Sequence, residues 1–134
     1  MKKVVIDTNC LLVAIPSKSP FHKIWEHFIE GKIILCVSNE ILLEYEEIIS
    51  QKTNQYFADL VINTILNKQN VIRVSPSWRF DVIKTDPDDN KFVDCAVCGS
   101  AEYIVSNDKH FNILKETYFP YTNLYTVQEF CNVL

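Results

Sequence analysis

The chain has 134 residues, a net charge of −4, 48% hydrophobic residues and 22% charged residues. These values suit a single folded domain over residues 1–134 and exclude an intrinsically disordered chain. Glycine occurs only at Gly31 and Gly99, which excludes a glycine-rich phosphate loop and a dinucleotide-binding fingerprint. The negative net charge is also a poor match for binding nucleic acid by bulk electrostatics, so local lysines or bound metal would have to supply the attraction.

The N-terminal sequence MKKVVIDTNC contains too short an apolar run for a signal peptide, and no later stretch reaches the length of a membrane span. We therefore expect a cytoplasmic protein with no membrane partner. An odd number of cysteines without a secretory signal argues against a disulfide framework. Cys95 and Cys98 form a CxxC pair without the second pair that a zinc ribbon requires, so we interpret the cysteines as buried small hydrophobic residues.

The first half of the chain alternates strand and helix patterns. A β-branched run over 3–6 predicts a buried strand that ends at Asp7. Apolar residues at helical spacing over 21–28 predict a helix that Gly31 terminates. The pattern then predicts a strand over 33–37, a helix over 41–49 capped by Ser38 or Asn39, another helix over 56–65, and a short strand over 71–74.

The second half continues the alternation after a loop bracketed by Pro76 and Pro87. It predicts a helix over 92–99 capped by Asp88 or Asp89, a strand over 103–105, a short helix over 108–114, an edge strand over 123–125, and a final helix that begins with a capping box. This alternation predicts an α/β fold, a three-layer α/β/α sandwich around a mostly parallel sheet. Working groups in such sheets gather at the carboxyl ends of the strands.

Four carboxylates from distant parts of the chain are predicted to meet at that edge. Asp7 closes the first strand, and Asp108 follows the strand over 103–105. Asp94 lies in the helix before that strand, and Glu44 lies in the first turns of the helix after the second strand. Such a cluster requires either protonated members with raised pKa values or bound cations. Mg²⁺ and Mn²⁺ prefer carboxylate oxygens and can activate water for phosphodiester cleavage.

Four segments resemble the PIN-domain ribonucleases in the family's order and spacing: VVIDTN at 4–9, VSNEILLEY at 37–45, TDPDDNKFVDCAVCGSAEYIVSND at 85–108 and VQEF at 127–130. They resemble in particular the bacterial PIN proteins assigned as toxin components of toxin–antitoxin systems. The resemblance implies a PIN-like fold and an endoribonuclease that uses Mg²⁺ or Mn²⁺ to cleave single-stranded RNA. It also implies an antitoxin protein as partner, and it leaves monomer and homodimer open.

The resemblance further assigns site residues. The catalytic and metal-binding acids of the family match Asp7, Glu44, Asp94 and Asp108. Supporting positions match Thr8, Asn9, Ser38, Asp89 and Ser106. We expect Asn9 and Ser38 to orient ligands or waters. The family often has Thr-Gly-Asp or Thr-Arg-Asp where this chain has Ser-Asn-Asp at 106–108, and serine keeps the hydroxyl.

Other polar residues near these motifs receive structural interpretations. Asp86 suits a turn before Pro87, Asp88 suits a helix cap, and Asp89 suits a position near the metal but outside its direct ligands. The three histidines have no ligand partner at useful spacing and are interpreted as surface residues: His22, His27 and His110. Lysines near the predicted edge could contact phosphates: Lys18, Lys23, Lys84, Lys91 and Lys109.

Two other classes of protein stay open at this stage. A haloacid-dehalogenase-like phosphatase also uses an aspartate after the first strand, but it requires a second acid two positions later, where this chain has Asn9. A PIN-fold module that binds RNA or protein with weak or no activity is the other alternative, although all four family acids are present. A receiver domain is disfavoured because the paired acids before the end of the first strand are missing.

Overall fold

A parallel sheet forms the centre of the computed structural model, which describes residues 1–116 and 122–134. Its strands lie in the order β3-β2-β1-β4-β5, and all neighbouring pairs are parallel. The predicted mostly parallel sheet is therefore confirmed, and the carboxyl ends of its strands lie along one edge. The strands are β1 (Lys2–Ile6), β2 (Ile33–Val37), β3 (Val71–Arg73), β4 (Tyr103–Val105) and β5 (Asn123–Tyr125).

Helices cover both faces of this sheet, as the predicted α/β sandwich requires. Right-handed crossovers from β1 through β2 to β3 place the first four helices on one face. The chain then crosses back to β4, which places the fifth helix on the opposite face. The described α-helices are α1 (Thr8–Ala14), α2 (His22–Ile29), α3 (Asn39–Lys52), α4 (Gln55–Asn67), α5 (Asn90–Cys98) and α6 (Val127–Asn132), with 3₁₀-helices at Pro87–Asp89 and Lys109–Glu116.

The core fixes the strand ends at the centre of the sheet. Val4 and Val5 of β1 are wholly buried, as expected for a parallel strand covered on both faces. The hydroxyl of Tyr45, wholly buried in α3, donates a hydrogen bond to the backbone oxygen of Ile6. This bond ties α3 directly to the last residue of β1, so the two elements hold a fixed relation at the carboxyl edge.

Most predicted helix termini are confirmed, with one correction. Ser38 caps α3, because its Oγ accepts a hydrogen bond from the backbone nitrogen of Ile41 at 3.3 Å. Thr126 and Glu129 form the predicted capping box of α6. Asp89 occupies the N-cap position of α5, but its carboxylate makes no capping hydrogen bond. The prediction that an aspartate side chain caps this helix is therefore wrong, and the side chain is available to other groups.

Helix α1 begins immediately after β1 and was not predicted from the sequence. Every residue from 10 to 15 is apolar, so the sequence shows no clear helical period. The helix contacts both α2 and α3, which explains this apolar run. Asp7 serves as its N-cap, accepting a hydrogen bond from the backbone nitrogen of Asn9. Within the described residues, no helix combines the length and apolar character needed to cross a membrane.

The cysteines of the CxxC pair and of the strand region behave as small packing residues. Cys10, Cys36 and Cys95 are buried, and Cys98 is partly buried. Burial raises the pKa of the Cys10 and Cys95 thiols to about 12 in each case. Because these thiols stay protonated at neutral pH, they are poor nucleophiles and poor metal ligands, in agreement with the sequence interpretation.

Candidate active site at the carboxyl edge of the sheet

Asp7 occupies the junction between β1 and α1, at the carboxyl end of the central strand. Its Oδ1 accepts a hydrogen bond from the backbone nitrogen of Asn9 at 2.9 Å, and its Oδ2 accepts one from Ser106 Oγ at 2.6 Å. Burial raises the pKa of Asp7, while these two hydrogen bonds oppose the rise; the charges of Glu44 and Asp108 add to it. The carboxylate is therefore held in one orientation, close to other acids.

Ser106 and Asp108 extend the site from the neighbouring strand β4. The Ser106 hydroxyl donates to Asp7 and also accepts a hydrogen bond from the backbone nitrogen of Asp108 at 3.0 Å. Asp108 Oδ1 in turn accepts one from the backbone nitrogen of His110 at 2.9 Å. The Asn107 side chain turns away and accepts from the backbone nitrogen of Val127 at 3.0 Å. Ser106 thus links the carboxylate of Asp7 to the backbone of Asp108.

Glu44 reaches the same edge from α3, and both of its oxygens have partners. Thr8 Oγ1 donates a hydrogen bond to Glu44 Oε2. Lys91 Nζ lies 2.7 Å from Glu44 Oε1 and 3.2 Å from Asp88 Oδ1. Burial by itself lowers the pKa of Lys91, but the hydrogen bonds and charges of Glu44 and Asp88 outweigh it and raise the pKa above its ordinary value. The ammonium therefore stays charged and neutralises Glu44.

Asp89 contributes a carboxylate with one oxygen for which the fold provides no hydrogen-bond donor. Its Oδ2 is buried and makes no hydrogen bond. Its pKa is raised to about 7, first by burial and then by the charges of four neighbouring carboxylates, those of Asp86, Asp108, Asp7 and Glu44. These charges act on Asp89 because the acids lie near one another at this edge of the sheet. A buried carboxylate oxygen without a partner beside other acids is an arrangement that a bound cation would stabilise.

His110 is the site residue that the sequence interpretation missed. Its Nδ1 is buried without a hydrogen bond and lies 3.2 Å from Asp108 Oδ1, 3.8 Å from Asp86 Oδ2 and 4.0 Å from Asp89 Oδ2. Among the described residues, Asp86, Asp89 and His110 form a group of possible metal-ligating atoms that all lie within 4.8 Å of one another. The sequence feature that could have indicated a site role for His110 is its position two residues after Asp108.

Asp94 lies apart from the other predicted acids. Its Oδ1 accepts a hydrogen bond from the backbone nitrogen of Phe80 at 3.0 Å, and its Oδ2 lies 3.7 Å from the Arg79 guanidinium. The Asn90 side chain contacts the same loop, bonding the backbone nitrogen and oxygen of Ile83 at 2.8 Å each. In this structure Asp94 thus anchors the loop before α5 through Phe80 and Arg79, and the site role that the sequence predicts for it stays a prediction.

The predicted supporting residues also divide into two groups. Thr8 and Ser106 hydrogen-bond directly to acids of the site. Asn9 supplies its backbone nitrogen to Asp7, while its side chain is exposed. Ser38 caps α3 through its bond to Ile41. The structure therefore brings together Asp7, Glu44, Asp89 and Asp108 with Thr8 and Ser106.

The residues present at this edge fit a hard divalent cation. Carboxylate oxygens predominate, one imidazole nitrogen is adjacent, and a buried carboxylate oxygen has no hydrogen bond. Mg²⁺ accepts such oxygen ligands, and Mn²⁺ accepts both oxygen and imidazole nitrogen. Burial is the main cause of the raised pKa values of Asp7 and Asp89, and repulsion among carboxylates adds to it; a cation here would offset that repulsion.

The chain belongs to the PIN-domain family, because the family model for the PIN domain matches residues 3–110. A search of curated protein sequences gave no match to the chain. Similar solved structures include VapBC2 from Rickettsia felis bound to a DNA fragment from their promoter, with a TM-score of 0.63 and 16% identity over 92% of this chain and 98% of that chain.

Two further solved structures share the fold. DNA-bound VapBC from Salmonella typhimurium has a TM-score of 0.64 and 15% identity, over 95% of this chain and 99% of that chain. The PIN domain endonuclease Utp24 has a TM-score of 0.52 and 19% identity, over 92% of this chain and 84% of that chain. At these identities the similarity establishes the PIN fold.

Proposed function

We propose that this PIN domain is a metal-dependent endoribonuclease that hydrolyses phosphodiester bonds of single-stranded RNA. The observation that supports the proposal is the buried, unpaired Oδ2 of Asp89, in a carboxylate that lies within 4.8 Å of possible ligand atoms of Asp86 and His110. Membership of the PIN-domain family and the structural similarity to Utp24, a PIN domain endonuclease, support a nuclease.

Asp89 would be the central ligand of Mg²⁺ or Mn²⁺, because its carboxylate lies within 4.8 Å of possible ligand atoms of Asp86 and His110. Asp108, 3.2 Å from His110 Nδ1, and Asp7 and Glu44, whose charges act on Asp89, would line the same site. Asp89 takes the place that the sequence assigned to Asp94, because Asp94 is engaged with Phe80. A bound ion supplies an activated water and stabilises charge on the leaving oxygen. Ser106 keeps the Asp7 carboxylate oriented, the backbone nitrogen of His110 keeps the Asp108 carboxylate oriented, and Thr8 keeps Glu44 oriented, so the ligands need little rearrangement.

The biological role we propose is that of a cytoplasmic toxin held inactive by an antitoxin protein. The support is the resemblance of residues 85–108 and the other quoted motifs to bacterial PIN proteins of toxin–antitoxin systems. The structural similarity to VapBC2 and VapBC over nearly the whole of each chain agrees with this role. An antitoxin that covers the acidic hollow would block access of RNA to it.

The experiment is Mn²⁺-dependent cleavage of single-stranded RNA by wild type and by Asp7→Asn. The substitution keeps the shape of the side chain but removes its charge, so we expect cleavage to fall at least about 100-fold while the fold persists. Asp59→Asn, which changes an exposed carboxylate of α4, is the matched control and should cleave like wild type. Undiminished cleavage by Asp7→Asn, or RNA binding without cleavage by wild type, would contradict the proposal.

A further inference from the structure

We infer that Lys91 is a built-in counter-cation for Glu44, and that the acidic hollow consequently binds one divalent ion and not two. The inference deepens the proposed function and rests on it, because it concerns the number of ions that the nuclease site holds. The inference is based on the contacts of two carboxylates. Both oxygens of Glu44 have partners in the protein, whereas Oδ2 of Asp89 makes no hydrogen bond.

Each oxygen of the Glu44 carboxylate already has a partner in the protein. Lys91 Nζ lies 2.7 Å from Oε1, and Thr8 Oγ1 donates to Oε2. Asp88 Oδ1 contacts the same ammonium at 3.2 Å, and the side chain of Lys91 is only 10% exposed. An ammonium held by two acids in this nearly buried position is a fixed part of the site.

A divalent ion bound to Glu44 Oε1 would have to share that oxygen with the Lys91 ammonium. Two cations in contact with one carboxylate oxygen repel each other strongly, most of all in a partly dry hollow. Asp89 offers the opposite situation, because its Oδ2 is buried and makes no hydrogen bond. A single ion would therefore be held on the Asp89 side, and the Lys91 ammonium would take the place of a second cation at Glu44.

Lys91 is thus a positioning residue that acts through Glu44. The alternative is an ordinary ion pair that contributes to stability and does not affect metal binding. The two accounts differ in one measurable quantity, the number of ions bound per chain. Removing the ammonium frees an oxygen of Glu44 for a second ion if Lys91 is a counter-cation, and changes only stability if it is an ordinary ion pair.

The test is Mn²⁺ stoichiometry, measured by isothermal titration calorimetry and by electron paramagnetic resonance on the full chain. Wild type should bind one Mn²⁺, and Lys91→Met should bind two. Lys91→Arg keeps the charge and should bind one. Lys84→Met is the matched control, since Lys84 is exposed and pairs with Asp81, and it should also bind one. Lys91→Gln serves as a second neutral variant if thermal unfolding shows that Lys91→Met is not folded.

Each outcome decides between the two accounts. One ion in wild type and two in a neutral variant support the inference. Two ions in wild type, or one ion in both neutral variants, overturn the inference and leave metal-dependent cleavage intact. Wild type that binds no Mn²⁺ overturns the proposed function, and the inference with it. The failure of the inference and the failure of the proposed function are therefore distinguishable.

Discussion

Ser106 donates a 2.6 Å hydrogen bond to Asp7, although the two residues are 99 positions apart in the sequence. The parallel register explains this contact. Ile6 of β1 pairs with Val105 of β4, so the next residue of each strand emerges at the same edge, side by side. The strand pairing therefore builds the centre of the site, and a single hydroxyl group links its two halves.

Loss of the Ser106 hydroxyl should weaken metal binding. Ser106→Ala removes the hydrogen bond that opposes the raised pKa of Asp7, so Asp7 becomes harder to ionise and less well oriented. We expect Mn²⁺ affinity to fall about 10-fold to 100-fold at pH 7, by calorimetric titration. Ser106→Thr keeps the hydroxyl and should retain most of the affinity, and the exposed Ser77→Ala is the control. Unchanged affinity in Ser106→Ala would show that this bond does not organise the site.

Asp94 should matter for stability more than for metal binding. Asp94→Ala removes the acceptor for the Phe80 amide and a neighbour of Arg79, which together anchor the loop before α5. We expect the free energy of unfolding to fall by about 1–3 kcal/mol in urea denaturation, with Mn²⁺ affinity within about twofold of wild type. Asp94→Asn keeps an oxygen acceptor and should lose less stability.

The same variants distinguish the two assignments of the third acid. If Asp94 ligates the metal as the family resemblance implies, Asp94→Asn should lose more Mn²⁺ affinity than Asp89→Asn. If Asp89 ligates it, as the contacts favour, only Asp89→Asn should lose affinity. Asp59→Asn controls for the removal of one negative charge.

The stability of the metal-free protein should fall as pH rises from about 4 to about 7. The pKa of Asp89 is about 7 in the folded chain, above its ordinary value of 3.8, so the folded state binds more protons across this range. Asp89→Asn should therefore flatten the pH dependence and raise stability at pH 8 by on the order of 1–2 kcal/mol, because the side chain is partly solvated. Denaturation of EDTA-treated protein at several pH values measures this; a wild-type stability that rises over the same range would contradict it.

Much of the fold follows from short sequence patterns. The strands at 33–37 and 103–105 have the predicted bounds, since buried runs of β-branched residues have few other stable conformations. Asp7 and Asp108 could be placed because each follows such a strand, and parallel strands end at one edge. Ser38 could be recognised because a serine before a helical period is a strong N-cap.

The third acid could not be assigned from the sequence because it depends on the phase of one helix. Asp89 and Asp94 are five positions apart, which separates them by roughly 140° around a helix axis, so they cannot both face the same hollow. The choice depends on where α5 begins and how its apolar residues pack, with Phe92 against Phe111 at a ring distance of 6.2 Å. The site position of His110 could not be predicted for a similar reason, because the approach of its ring to Asp86 and Asp89 depends on tertiary packing.

The central claim is that acids from distant parts of the chain hold a divalent ion at the carboxyl edge of the sheet. Anomalous diffraction from a crystal soaked in Mn²⁺ tests it most directly. We predict one anomalous peak within bonding distance of Asp89 and of Asp7 or Asp108, with Lys91 still on Glu44. No peak at this edge, or a peak at Asp94 instead, would contradict the account.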